Sequence, residues 1–391
     1  MSRRFRPLFW KVVAYILTIV VVSVVIHLYV VYPYYFKKIP YFSKAAWQSV
    51  HIRCDESAPE GIESILRNVT LPFFALEAQI VLVDTEKNIS LCHVPDDSSS
   101  VQRPTYRLAS LTKAMTSFVI LDLSDRHLIS LDDHLLDFFP EIDPEKINDH
   151  HIFEVTLRDL LNHSSGFGGP FGSDNMVKKG ERPWCPYDLS MIESVRLAGK
   201  PGTDYVYSNV AYCLLGEVIR EVTGTDYRSY IAKNYLARFP SLTFASSAYL
   251  ASEPEYDYSN DYRFGEGYLD WLDFEAISPA AGLMGEPKEF AEMVSELVGR
   301  HPSVLYDEGV AICWESGAER CYSNTFVVYK GDNGSRIGVQ QGYFPGVSSL
   351  VAITSEGEVL VWAAAGAPME ASFRELLEKR VVSFLDLRSR L

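Results

Sequence analysis

No acidic residue occurs in the first 32 positions of this chain, and residues 12–32 carry no Asp, Glu, Lys or Arg. An uncharged run of 21 residues is long enough to cross a bilayer as a helix. It holds no Ala-x-Ala site and runs on into His27-Leu28-Tyr29-Val30-Val31-Tyr32. A cleaved signal peptide has a shorter apolar core ending in small residues, so an uncleaved anchor is the expectation. Arg3, Arg4, Arg6 and Lys11 precede the run; Lys37 and Lys38 follow it. The larger basic cluster stays cytoplasmic. The chain reads as a single-pass protein of the cell membrane, with a cytoplasmic tail over 1–11, a transmembrane anchor over 12–32 and an extracytoplasmic bulk, periplasmic or extracellular. His27, in the last third of the span, lies toward the interface.

Basic residues are scarce beyond the anchor. The remainder holds 51 acids against 32 bases, a net of −19. Such a surface repels nucleic acid, which excludes that partner, and does not help an anionic substrate approach. There is no Cys-x-x-Cys pair, which excludes the usual structural zinc sites, and no other metal constellation. No Gly-x-Ser-x-Gly elbow and no internal repeat occur. The six cysteines are 54, 92, 185, 213, 313 and 321. Outside the cytoplasm disulfides are permitted. Cys313 and Cys321 could close a hairpin and Cys54 could pair with Cys92; six buried thiols are the alternative. With 391 residues, 47% hydrophobic, 13% aromatic and 22% charged, the composition is globular.

What is present begins with the one Ser-x-x-Lys of the chain, in Leu108-Ala109-Ser110-Leu111-Thr112-Lys113. Leu111, Met115, Phe118 and Leu121 recur at a helical period. Ser110 then opens a helix, and Lys113 lies one turn on, on the same face. A serine hydroxyl is a weak nucleophile until a neighbouring base takes its proton. Taken alone, the motif equally describes a helix start with a solvated lysine.

Residues 33–59 read as an aromatic linker. A short helix over 61–68 and strands over 78–84 and 88–93 follow. A polar loop over 95–104 leads to Ser110. Thr156 caps a short helix that stops near Asn162, and Gly166 opens a turn. Residues 168–202 are irregular, and 210–222 carry a helical stripe. Residues 240–275 are acidic, Tyr-rich surface loop, and a helix spans 287–298. Short β-rich runs over 325–330, 336–341, 348–354 and 358–364 form an antiparallel meander, and a helix over 369–387 ends the chain. The order predicts a mixed α/β (α+β) fold. An antiparallel sheet is flanked by helices, a mainly helical lobe spans about 125–300, and a cleft lies between them.

The chain resembles the serine β-lactamase and penicillin-binding-protein superfamily, in its class C-like branch of esterases, peptidases and β-lactamases. The likeness covers roughly 60–390. It is carried by Ser110-Leu111-Thr112-Lys113, Leu160-Leu161-Asn162-His163-Ser164-Ser165-Gly166 and Pro201-Gly202-Thr203 with Tyr207-Ser208-Asn209. Leu214-Leu215-Gly216, Ala281-Gly282-Leu283 and Gly342-Tyr343-Phe344-Pro345-Gly346 complete it. It implies that Ser110 is acylated, Lys113 handles its proton and Tyr207 is the general base. Tyrosine acts so only where a cation supports it. It further implies that Asn209 binds Lys113 and the substrate amide, and that the N–H groups of Ser110 and Tyr343 form the oxyanion hole. His163 would hold a loop turn. No cofactor or metal is needed.

The third family element departs from pattern. Gln340 stands two residues before Gly342, where the family has Lys or His. Neutral glutamine cannot attract a carboxylate, so a small-molecule or peptide substrate with a neutral ester or amide is expected. We read Gln340 as either a specificity residue or an ordinary polar residue of a strand. The leading expectation is a membrane-anchored serine hydrolase. The alternatives are a catalytically reduced, penicillin-binding-like sensor or binding module, and an acyl transferase.

Overall fold

A computed structural model describes residues 5–31, 33–94, 104–168, 175–254, 256, 268–306, 313, 320–368 and 370–390. Its frame is an eight-stranded antiparallel sheet. The strands are β1 (Arg53–Cys54), β2 (Glu77–Val83), β3 (Ile89–Val94), β7 (Arg320–Ser323), β8 (Phe326–Lys330), β9 (Arg336–Phe344), β10 (Val347–Thr354) and β11 (Val359–Ala365). Their order is β1-β3-β2-β11-β10-β9-β8-β7, so strands from both ends of the chain share one sheet. A three-stranded sheet joins β4 (Tyr106–Arg107), β6 (Leu283–Gly285) and β5 (Thr243–Phe244), in that order.

The apolar runs of β2, β10 and β11 follow from burial on both faces. Ile80, Trp362 and Leu350 stand opposite one another in register, as do Val81, Val361 and Val351 on the other face. The first set packs on helices Glu60–Thr70 and Ala371–Arg388 through Ile62, Leu66, Leu377 and Val381. The second set joins a larger core with Phe290 and Val294 of helix Pro287–Arg300 and Phe118 of helix Thr112–Asp125. Between 125 and 300 the described residues fold mainly as helices and short 3-10 turns.

Several expectations are revised. Residues 33–59 include the helix Pro33–Gln48, which buries Ala45, and β1, which pairs with β3. The stretch 240–275 is partly interior: β5 lies there, and Glu253 is buried against Arg107, Nε to Oε2 2.8 Å. Apolar spacing does not reveal such a pair. All six cysteines are bridged, as Cys54–Cys92, Cys185–Cys213 and Cys313–Cys321. The second pair was not foreseen, because it joins an irregular loop to a helix. Most of the polar loop over 95–104 lies outside the described residues. At the N-terminus, helix Phe5–Val31 contains Trp10–Val31, 22 residues of mean hydropathy 2.5. It is long and apolar enough to cross a membrane.

Candidate active site

Ser110 lies in a 3-10 turn, Ala109–Leu111, just before helix Thr112–Asp125. Ala109 has φ +48°, a left-handed conformation that costs a non-glycine residue about 1–2 kcal/mol. Neighbouring elements hold the turn in place. Leu108 N–H donates to Leu283 O at 2.9 Å, and Ser349 Oγ donates to Leu108 O at 2.8 Å. Gln340 Nε2 donates to Ser110 O at 3.2 Å. Thr112 Oγ1 donates to Ala109 O at 2.8 Å and accepts from Leu283 N–H at 3.0 Å.

Lys113 is fully buried. Its Nζ donates to Asn209 Oδ1 at 2.8 Å, Ala280 O at 3.0 Å and Ser110 Oγ at 3.3 Å. Three acceptors match the three donors of an ammonium group, which has no lone pair to offer. A buried ammonium is tolerated only when its donors are satisfied. Ala280 belongs to the short helix Ser278–Ala281. One turn beyond Lys113, Thr116 Oγ1 donates to Pro279 O at 2.6 Å, so the two helices are joined at two points.

Tyr207 completes the group from the far side. Its Oη lies 2.8 Å from Ser110 Oγ, and Lys113 Nζ lies 4.9 Å from its ring centre. The order runs from the buried ammonium, through Ser110, to a phenol 40% exposed at the cleft. Asn209 opens helix Asn209–Thr223, which Ser208 caps by accepting Ala211 N–H at 2.9 Å.

The segment leading to His163 explains its own spacing. Thr156 and Asp159 form a capping box on helix Leu157–Leu161, and Ser164 Oγ donates to Asp159 Oδ1 at 2.8 Å. His163 follows at φ +57° and is fully buried. Burial, and then the charge of Lys113, hold its imidazole well below the usual histidine range. It makes no contact with Ser110 among the described hydrogen bonds.

Strand β9 forms the opposite wall of a cleft of about 510 Å³ lined by Ser110, Tyr207, Asn209, Gln340 and Tyr343. A side chain at Gly342 would put Cβ 2.5 Å from Leu108 O and 2.2 Å from Ser349 Oγ, so only glycine lets strand and turn meet. All seven residues singled out in the sequence therefore come together: Ser110, Lys113, Tyr207, Asn209, Gln340, Gly342 and Tyr343. Gln340 is the surprise. It is 4% exposed, and its amide N–H is engaged by the Ser110 carbonyl.

Sequence reasoning missed three contributors. Ala280 acts through its backbone carbonyl, which no side-chain pattern can announce. Arg374 and Glu378, one turn apart on the last helix, line the cleft. Arg374 Nε donates to Gln341 Oε1 at 3.2 Å, and Glu378 accepts from Gln341 and Tyr329. Among the described residues no group of three His, Cys, Asp or Glu side chains is placed to hold a metal.

A profile of the Beta-lactamase family matches residues 102–351, which include every side chain of the Ser110, Lys113, Tyr207 and Asn209 cluster. The chain belongs to the Beta-lactamase family. Within this wider superfamily of serine β-lactamases and penicillin-binding proteins, it resembles a D-amino acid amidase from Ochrobactrum anthropi SV3. The TM-score is 0.61 at 16% identity, over 85% of this chain and 99% of that one. A Beta-lactamase/D-alanine carboxypeptidase from Yersinia pestis gives 0.59 at 16% identity, over 83% and 97%. These likenesses concern the fold. In sequence, a putative fimbrial assembly protein FimD of Dichelobacter nodosus is 24% identical over 98% of both chains. A probable hydrolase M10 from a Phoma species is 25% identical over 54% of this chain and 39% of that one. Membership in this family supports hydrolase activity of the serine type.

Proposed function

We propose that this protein is a membrane-anchored serine hydrolase that cleaves an ester or amide through an acyl-Ser110 intermediate. The observation that carries the reading is the contact of Ser110 Oγ with Tyr207 Oη at 2.8 Å, beside a Lys113 whose donors are all taken. With no lone pair free on Lys113, the proton of Ser110 goes to the Tyr207 oxygen 2.8 Å away, which acts as the general base. Ser110 Oγ then attacks the substrate carbonyl carbon, and its electron pair moves onto the carbonyl oxygen. The N–H groups of Ser110 and Tyr343 receive that oxyanion. When the tetrahedral centre collapses, the C–N or C–O bond breaks and Tyr207 returns the proton to the leaving group. Water, deprotonated by Tyr207, releases the acid and frees Ser110.

A neutral acyl donor suits the site best. Gln340 carries no charge, and the chain beyond the anchor has a net of −19. Membrane anchoring rests on helix Phe5–Val31, and the basic residues before it favour a cytoplasmic N-terminus. Three disulfides favour an extracytoplasmic site.

The test is intact-mass analysis of the full chain in detergent after exposure to a fluorophosphonate. One adduct on Ser110 is expected, absent in Ser110→Ala and about 10²-fold slower in Tyr207→Phe. No adduct, or one that survives Ser110→Ala, refutes the reading. A binding or assembly role is the second reading, favoured by the full-length similarity to the putative fimbrial assembly protein. It predicts thermal stabilisation by a ligand without turnover of p-nitrophenyl esters.

A further inference from the structure

Tyr207 is the exposed member of the cluster, yet its oxygen must meet Ser110 within a fraction of an ångström. The residue that holds it lies outside the reacting group. His163 O accepts Val206 N–H at 2.7 Å, and His163 Nδ1 accepts Ser208 N–H at 3.2 Å. The residues on both sides of Tyr207 are thus pinned by a single residue. The imidazole also lies against the phenol, with ring centres 4.5 Å apart and planes tilted by 41°. Ser208 carries the restraint onward, because it caps the helix that opens with Asn209.

We propose that His163 is a positioning residue for Tyr207: its carbonyl, its Nδ1 and its ring together fix the phenol over Ser110, and the imidazole neither touches substrate nor exchanges a proton. This inference rests on the reading of Tyr207 as the base of acyl transfer. The side chain can accept through Nδ1 only while that nitrogen is unprotonated, which leaves the proton on Nε2. His163 Nε2 is buried without a hydrogen-bond partner among the described residues. The rings of Tyr205, Tyr212 and Tyr322 surround it, with centres 5.2–6.0 Å away. Lys113 is the charged group that faces it, and a second positive charge there is unfavourable. The acceptor at Nδ1 is therefore kept, and among the described residues no carboxylate is hydrogen-bonded to the imidazole.

The backbone at His163 chooses the variants. At φ +57° both Asn and Gly are at ease. His163→Asn places an oxygen where Nδ1 stood, whereas His163→Gly removes acceptor and ring together. Each is made in the wild-type chain and in Tyr207→Phe, with a melting curve to verify folding. The readouts are the rate of fluorophosphonate labelling and the kcat and KM for p-nitrophenyl acetate. We expect His163→Gly to lower kcat by about 30-fold or more with KM within about twofold, since positioning the base acts on the chemical step. His163→Asn should stay within about fivefold of the wild type. Neither variant should lower the rate further in Tyr207→Phe, because the effect passes through that phenol.

A His163→Gly rate equal to the wild type overturns the inference. So does an Asn variant as slow as the Gly variant. Equal losses in both backgrounds do the same, for they reveal general destabilisation. A wild type that is never labelled overturns the serine-hydrolase reading and this inference with it. A labelled wild type with additive losses overturns only the role of His163.

Discussion

Gly342→Ala tests whether the meeting of β9 with the Ser110 turn is what makes the site. The new Cβ would stand 2.5 Å from Leu108 O, 2.2 Å from Ser349 Oγ and 3.1 Å from Leu111 Cδ1. Carbon atoms rest comfortably at about 3.5–4.0 Å, so strand and turn must part by about 1 Å. One of the obstructing atoms is backbone, two residues before Ser110, and cannot swing aside as a side chain can. Overpacking of this kind costs about 1–3 kcal/mol. For a domain of this size that lowers the melting temperature by about 2–6 °C. A displacement of about 1 Å at a reacting group costs about 10²-fold in rate. Gly338→Ala is the control on the same strand, about 13 Å away. Its Cβ would stand 2.4 Å from Leu305 Cδ2 and 3.1 Å from Phe326 Cβ, a clash with side chains only and remote from Ser110. Both variants, as full chains in detergent, are assayed by melting curve and fluorophosphonate labelling. Gly338→Ala should lose stability and keep its labelling rate; Gly342→Ala should lose both. A Gly342→Ala variant labelled as fast as Gly338→Ala would refute the reasoning.

Three further outcomes are expected. The depressed imidazole of His163 means that the unfolded chain takes up a proton below about pH 6.5 that the folded chain refuses, so stability falls as pH drops through that range and returns as it rises. Melting temperature should therefore fall less between about pH 7 and pH 5 in His163→Asn than in the wild type, and equal slopes would contradict the assignment. Gln340→Lys places a cation beside Ser110, and acylation by a penicillin should rise about tenfold relative to a neutral p-nitrophenyl ester; an unchanged ratio shows that position 340 does not set charge preference. Arg107→Met leaves Glu253 buried and unpaired, a loss of about 3–5 kcal/mol in denaturant unfolding, while Arg107→Met with Glu253→Met should recover much of it.

Six of the sheet's eight strands, β2, β3 and β8 to β11, were legible because apolar runs such as 80–83, 350–353 and 359–365 are punctuated by turns, and turns leave a mark in sequence; the short edge strands β1 and β7 were not. The start of helix Leu157–Leu161 was legible because the Thr156 side chain does the capping; the cap at Ser208 was read only as part of a turn. The interior of 240–275 was not, because Glu253 looks like any surface acid until Arg107 is placed beside it. Nor was the Cys185–Cys213 bridge, since an irregular loop gives no spacing from which to pair it. The helix over Pro33–Gln48 was hidden by Pro40, which interrupts a helical pattern.

Local order along the chain determined which side chains could take part: a hydroxyl and an amine one turn apart, a Tyr and an Asn flanking a helix cap, a glycine in a strand. Such features need only neighbours within a few residues, and sequence displays those neighbours directly. Only the tertiary structure decided what those groups do to one another. It brought Tyr207 to Ser110 across 97 positions and closed the third donor of Lys113 with the carbonyl of Ala280, 167 positions away. It also turned Gln340 onto the Ser110 carbonyl, because contacts between distant segments depend on how whole layers pack, and no periodicity records that.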